Sequence, residues 1–235
     1  MNSIPKILFQ VSKFKQPQYV IDMIKSYLPD DWIYINYIDG DEVGFFLNNP
    51  LKEFPDIIKK FHSIKLGQHR ADLFRYYVLY IIGGVYIDSD AMIYMDIEKI
   101  IRHYSFVSVK SIVPDTIFNG FIASYKGNDI ILKAIQYIYS VNNTELEKKY
   151  LIICENLYDI ITKNKYDNIK LYQEYITYNG ITCPTGTVNT LDDKNNIILT
   201  HYQLTKVIPN IKRQNEILQP IKVQSKSKLN FYMKK

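Results

Sequence analysis

Cysteine is nearly absent: Cys154 and Cys183 are the whole complement, and one pair at that spacing builds neither a disulfide framework nor a zinc cluster. Both thiols are read as buried or idle side chains. No run of eighteen or more uninterrupted apolar residues occurs, so no segment has the usual length of a membrane-spanning helix. The opening Met1-Asn2-Ser3-Ile4-Pro5-Lys6 has neither the basic start nor the apolar stretch of a secretion signal, and the expectation is a soluble protein of the cytoplasm. Acids are missing from residues 222–235, which hold Lys222, Lys226, Lys228, Lys234 and Lys235. Those five lysines account for the net charge of +5 and leave the body of the chain neutral. A neutral body without a basic stripe excludes a nucleic-acid binder. The tail itself reads as a flexible solvated end, with weak attraction to an acidic membrane surface as the sharper alternative. Internal repeats and a clear linker are also lacking. What is present, 235 residues of which 47% are hydrophobic, suffices for one globular domain over residues 1–221. The 21 tyrosines accompany a wealth of Ile, Asn and Lys that AT-rich coding explains, so they are not taken as sugar-stacking platforms.

The hydrophobic pattern alternates between strand and helix. Residues 6–11 form a short apolar run after a proline, and residues 32–38 are rich in β-branched and aromatic side chains, so both are expected strands. Between them Tyr19, Val20, Met23, Ile24, Tyr27 and Leu28 recur at helical spacing before Pro29. Residues 67–82 predict a helix ended by Gly83-Gly84, and residues 85–88 a buried strand. Further strands are expected at residues 106–109 and 119–123, and helices at 130–141 and 146–161. The alternation predicts a Rossmann-like α/β domain whose mainly parallel sheet is flanked by helices. From about residue 165 the pattern turns irregular.

Two Asp-x-Asp tripeptides occur, Asp39-Gly40-Asp41 and Asp88-Ser89-Asp90, and with 16 aspartates in the chain about one is expected by chance. Context decides between them. The first has the chemistry of a turn and helix cap ahead of a helical pattern. The second ends an apolar strand, where open α/β sheets bind their ligands. If the chain stays extended there, side chains two apart share a face and both carboxylates meet one ligand. Two hard oxygen donors suit Mg²⁺ or Mn²⁺ bridging phosphate oxygens. The preceding helix is apolar nearly all round, yet Gln68, Asp72 and Arg75 form a polar stripe on it. That stripe is either an Asp72–Arg75 ion pair on an exposed edge or a ligand-facing pair, with Arg75 reaching a phosphate or ribose.

Residues 71–90, ADLFRYYVLYIIGGVYIDSD, resemble the DXD sugar-binding block of family 32 glycosyltransferases and of the glucosylating domains of large clostridial toxins. Ile4-Pro5-Lys6-Ile7-Leu8-Phe9-Gln10 is similar to the family's opening segment, with Phe9 where histidine is common, and Asn119-Gly120-Phe121-Ile122 is similar to a later one. The likeness covers roughly residues 4–140. It implies a GT-A fold, with Asp72 and Arg75 contacting the sugar and diphosphate, Tyr86 lining the nucleotide side, Asp88 binding ribose or sugar, Asp90 chelating the metal and Asn119 near the transferred sugar. A C-terminal metal ligand, often histidine, is common in such enzymes, and His201 follows a short strand. The serine-tryptophan pair that often comes after that histidine is absent, and in Pro184-Thr185-Gly186-Thr187 the proline of the family's Thr-Gly-Pro segment is displaced. The resemblance thus implies a metal-dependent hexose transfer, with retention, from a UDP- or GDP-sugar to a hydroxyl of a glycan or protein. A nucleotide-sugar hydrolase would use the same carboxylates without an acceptor groove. A degenerate nucleotide-sugar-binding protein would use them without turnover.

Overall fold

The computed structural model describes residues 3–177 and 187–201. Cys183, the segment around Pro184 and the lysine-rich tail lie outside the described residues. In chain order the elements are β1 (Ile7–Ser12), α1 (Gln18–Lys25), β2 (Ile33–Ile38), α2 (Asp41–Asn48), α3 (Ile57–Ser63), α4 (Gly67–Ile82), β3 (Gly84–Ile87), β4 (Ala91–Ile93), α5 (Ile97–Ile101), β5 (Phe106–Lys110), β6 (Ile117–Ser124), α6 (Asp129–Ser140), α7 (Asn143–Lys148), α8 (Ile152–Lys163), β7 (Ile169–Thr177), β8 (Thr187–Leu191) and β9 (Ile197–His201). The strands form one sheet in the order β2-β1-β3-β6-β5-β7-β8-β9-β4.

Helices cover both faces of this sheet. Phe9, Tyr86 and Ile122 point into one core, with Phe46, Leu73, Tyr77, Ile135 and Leu157 from α2, α4, α6 and α8. Their strand neighbours Leu8, Val85, Ile87 and Ala123 point into the other, with Ile24 of α1 and Ile97 and Ile100 of α5. Burial on both faces is why these strands read as continuous apolar runs rather than alternating ones. The helix ends where its glycines allow: Gly83 and Gly84 hold φ of 73° and 103°, and a Cβ on Gly84 would lie 2.6 Å from the Ile7 carbonyl oxygen. The same pair therefore stops α4 and lets β3 lie close against β1.

Parallel pairing joins β2, β1 and β3 through helical crossovers, and joins β5 to β7. The remaining contacts are antiparallel, so the sheet is mixed. The stretch from about residue 165, expected to be irregular, instead supplies β7, β8 and β9. Asp192 and Asn196 bond to one another across the turn between β8 and β9, and such turn chemistry breaks up the apolar pattern that would have announced the strands. The single helix expected at 146–161 is two, because Lys149 leaves helical geometry at φ −125°, ψ 98°. β4 lies three residues after β3 in the chain yet at the far end of the strand order. Covalent reach then requires the sheet to curl until β9 and β4 come round beside the end of β3.

Candidate active site

The Asp88-Ser89-Asp90 segment leaves β3 as a turn, with the Ala91 N–H donating to the Asp88 carbonyl at 3.1 Å. This corrects the expectation of an extended chain: the two carboxylates are brought together by the turn, not by strand alternation. After the turn, β4 runs antiparallel to β9 with Ala91 opposite His201. That register delivers the imidazole to the turn. One donor atom each from Asp88, Asp90 and His201 lies within 4.8 Å of the others, and the His201 Nε2 is 3.7 Å from the Asp90 Oδ2. Burial works to lower the pKa of His201, and the Asp90, Asp88 and Glu174 carboxylates outweigh it, so the imidazole lies above the ordinary histidine value. Two carboxylates and an imidazole, partly open to solvent, are a donor set that fits Mn²⁺ or Mg²⁺.

Behind the turn stands a buried polar network. Arg75, 5% exposed, donates from Nη1 to the Asn119 carbonyl at 2.7 Å and lies 3.1 Å from the Asp88 Oδ1. Its Nε donates to the Ala71 carbonyl at 3.3 Å, 3.6 Å from Asp72, and the guanidinium stacks on the Tyr86 ring at 4.3 Å. Burial disfavours this cation, while Asp88, Tyr86 and Asp72 more than offset that and keep it charged. The Tyr86 hydroxyl donates to the Asp88 carboxylate. Asn119 accepts from the Tyr76 hydroxyl at 2.9 Å and donates to Asp72 at 3.1 Å. The Asp72–Arg75 pair is thus not an exposed-edge ion pair. It is the inner end of a network that terminates on the Asp-x-Asp turn.

Residues 15–107 match the family described as the glycosyltransferase sugar-binding region containing a DXD motif. That match spans 93 of the chain's 235 residues. Over 137 residues the chain is 26% identical to inositol phosphoceramide mannosyltransferase 3 of Schizosaccharomyces pombe, a stretch that covers 57% of this chain and 37% of that protein. The chain therefore spans little more than a third of the curated relative it matches. Among solved structures, the PaToxG glycosyltransferase superposes with a TM-score of 0.50 at 17% identity, covering 68% of this chain and 69% of the other. That likeness concerns the fold, which is of the GT-A type.

The structure gathers Asp72, Arg75, Tyr86, Asp88 and Asp90 of the matched stretch with Asn119 beyond it into one connected site, and adds His201 from the end of the described chain. Tyr86, expected along the nucleotide side, is 1% exposed and supports Asp88 from behind, because its hydroxyl is already engaged there. The other tripeptide is a turn: the Asp41 carboxylate accepts the Ile38 N–H at 2.8 Å and Glu42 accepts the Gly40 N–H at 2.7 Å. Among the described residues no helix is long and apolar enough to cross a membrane.

Four contributors were missed by sequence reasoning. Gln10, fully buried in β1, donates to the Asp88 carbonyl at 3.1 Å and accepts from the Tyr34 hydroxyl at 2.7 Å. A glutamine inside an apolar strand was a readable signal, since burial of an amide calls for partners. Gly120 sits where β6 bulges: β5 pairs Val107 with Ala123 but Val109 with Phe118. The bulge turns Asn119 toward α4 and brings Gly120 so close to the turn that a Cβ there would lie 2.5 Å from the Asp88 Oδ2. Phe118 packs on the His201 ring, centroids 4.4 Å apart. Buried Glu174 faces the same imidazole at 4.0 Å. Nothing local in the sequence marks the last three.

Proposed function

We propose that this chain transfers a hexose from a UDP- or GDP-sugar to a hydroxyl acceptor on a glycan or protein, with retention of anomeric configuration. The observation that carries the reading is the convergence of Asp88, Asp90 and His201 at the end of a DXD-bearing strand. These three residues would hold Mn²⁺ or Mg²⁺. When bound, the cation supplies charge neutralisation for the departing diphosphate. The residues of the chain do the rest. Arg75 stays charged and fixes the Asp88 carboxylate, so that the site is organised before the donor arrives and little reorganisation remains for the transition state. Asp72, tethered by Asn119, is the acceptor for a sugar hydroxyl, and it orients the ring whose anomeric carbon becomes oxocarbenium-like. Because a mannosyltransferase is among the relatives, mannosyl donors head the list of substrates to try.

The test begins with a thermal-shift screen of nucleotide sugars with and without Mn²⁺, where a specific donor raises the melting temperature by mass action. Product analysis with and without hydroxyl acceptors then separates transfer from hydrolysis, and proton NMR of the first-formed product reads the anomeric configuration. An inverted product would end the retaining mechanism. Tight nucleotide binding without turnover under any acceptor would favour a binding protein instead.

A further inference from the structure

His201 uses only one side of its ring on the Asp-x-Asp turn. Its Nε2 faces Asp90 at 3.7 Å, while its Nδ1 points inward and finds no hydrogen-bond partner among the described residues. Opposite that nitrogen, at 4.0 Å, is the Oε1 of Glu174, also buried and also unpartnered. The Glu174 side chain is 1% exposed, and its other oxygen accepts the Ile112 N–H at 3.2 Å. Two buried orphans facing each other, one able to donate and one able only to accept, require an explanation. The sheet shows that the juxtaposition is built. Glu174 of β7 sits opposite Thr190 of β8, and Ile176 opposite Val188. Val188 in turn pairs with His201 of β9. Positions two apart on a strand share a face, so the carboxylate and the imidazole project to the same side and meet across β8. At 4.0 Å the pair is just beyond hydrogen-bond length, and a small rotation of the ring closes it.

We infer that Glu174 is the positioning residue of the cation site: its carboxylate takes the Nδ1–H of His201 and fixes the tautomer whose bare Nε2 faces Asp88 and Asp90. The reasoning rests on the metal-dependent reading above. A ligating imidazole needs one nitrogen unprotonated and aimed, and a carboxylate on the opposite nitrogen supplies both conditions. The Ile112 N–H adds a constraint that makes the inference testable. That donor demands an acceptor, so a glutamine at this position must turn its amide oxygen toward Ile112 and its NH₂ toward His201. Nδ1 is then forced to accept, the proton moves to Nε2, and the ring offers a hydrogen where the cation needs a lone pair. An isosteric, fold-preserving change thereby reverses the tautomer.

The experiment uses the full chain labelled with ¹⁵N-histidine, together with Mn²⁺ titration followed by electron paramagnetic resonance. In the metal-free protein above pH 8, Asp90 and Glu174 compete for the one ring proton, and Glu174→Gln should shift the ¹⁵N-reported tautomer population of His201 from Nδ1–H toward Nε2–H. Mn²⁺ affinity should fall about 10- to 100-fold in Glu174→Gln. Combining Glu174→Gln with His201→Ala should weaken binding no further than His201→Ala alone, a non-additivity that a merely structural role would not produce. A tautomer population left unchanged by Glu174→Gln would overturn the inference, and so would wild-type Mn²⁺ affinity in that variant. If Glu174→Gln shifts the tautomer but the wild type binds neither Mn²⁺ nor Mg²⁺, the metal-dependent function fails, and the positioning role for a cation fails with it. The tautomer data keep that failure separate from an error about Glu174.

Discussion

Gly120→Ala adds a single methyl group, and the structure says where it goes. An ideal Cβ at this position lies 2.1 Å from the Phe118 Cζ and 2.5 Å from the Asp88 Oδ2, each roughly an ångström or more inside ordinary contact. Gly120 is not at positive φ, so the backbone accepts alanine and the whole effect is steric. The β6 bulge is buried on both sides, Phe121 at 1% and Asn119 at 5% exposure, which limits how far the methyl can back away. Overpacking of this kind costs about 1–3 kcal/mol. For a chain of this size each kcal/mol lowers Tm by about 2–4 °C, so a drop of roughly 4–8 °C is the central expectation. The functional cost should be larger. The Phe118 ring pushes on His201 and the methyl pushes on Asp88, and a displacement near 1 Å at a reacting site lowers turnover on the order of 100-fold. Differential scanning fluorimetry, Mn²⁺ titration and initial rates on one preparation read all three quantities. A companion comparison isolates the cause: against a Phe118→Ala background, adding Gly120→Ala should cost less stability, because the ring it strikes is gone, while still weakening turnover through Asp88. Wild-type turnover and Mn²⁺ affinity in folded Gly120→Ala would refute the claim that this close approach shapes the site.

Three further outcomes are expected. Asp90→Asn should abolish Mn²⁺-dependent donor binding and nearly all transfer, and Asp88→Asn should cripple transfer, whereas Asp39→Asn and Asp41→Asn should keep activity at a stability cost of at most about 1 kcal/mol; isothermal titration and rate measurements on the four variants decide it, and an essential Asp41 beside a dispensable Asp90 would reverse the assignment. Arg75→Lys should lower kcat/KM by about tenfold or more and also lower Tm, since one ammonium cannot reach the Asn119 and Ala71 carbonyls and Asp88 together; wild-type kinetics in that variant would reduce Arg75 to a structural ion pair. Burial, with Asp72 adding to it and Arg75 opposing, pushes the Cys154 thiol up to about 12, and because the thiolate is the nucleophile, only about one molecule in 10⁴ is reactive at pH 8. In a Cys183→Ser background, Cys154 should therefore react with a disulfide reagent about 1000-fold slower than after unfolding in guanidinium, and equal rates would show that α8 does not shield it.

Local pattern was enough to specify much of this protein. The helix expected at 67–82 is α4, Gly67–Ile82, because an apolar periodicity bounded by a glycine pair is a property of neighbouring residues. The strand ahead of Asp88 followed from the same logic, and the resemblances of residues 71–90 and 119–122 pointed to the side chains that α4, β3 and β6 bring together. Other features depend on partners far apart in the chain, and no local pattern encodes those. His201 reaches the turn only through the β4–β9 register. The carboxylates converge because Ala91 closes a turn on Asp88, where local alternation had suggested an extended chain. Gly120 looks like any strand glycine until the bulge sets it against Asp88, and Glu174, in a stretch expected to be irregular, becomes a buried acid only once β8 and β9 extend the sheet beside β7. Periodicity fixes which face of an element is buried. Which residue stands across from it is decided by the register of strands that meet only once the sheet has curled.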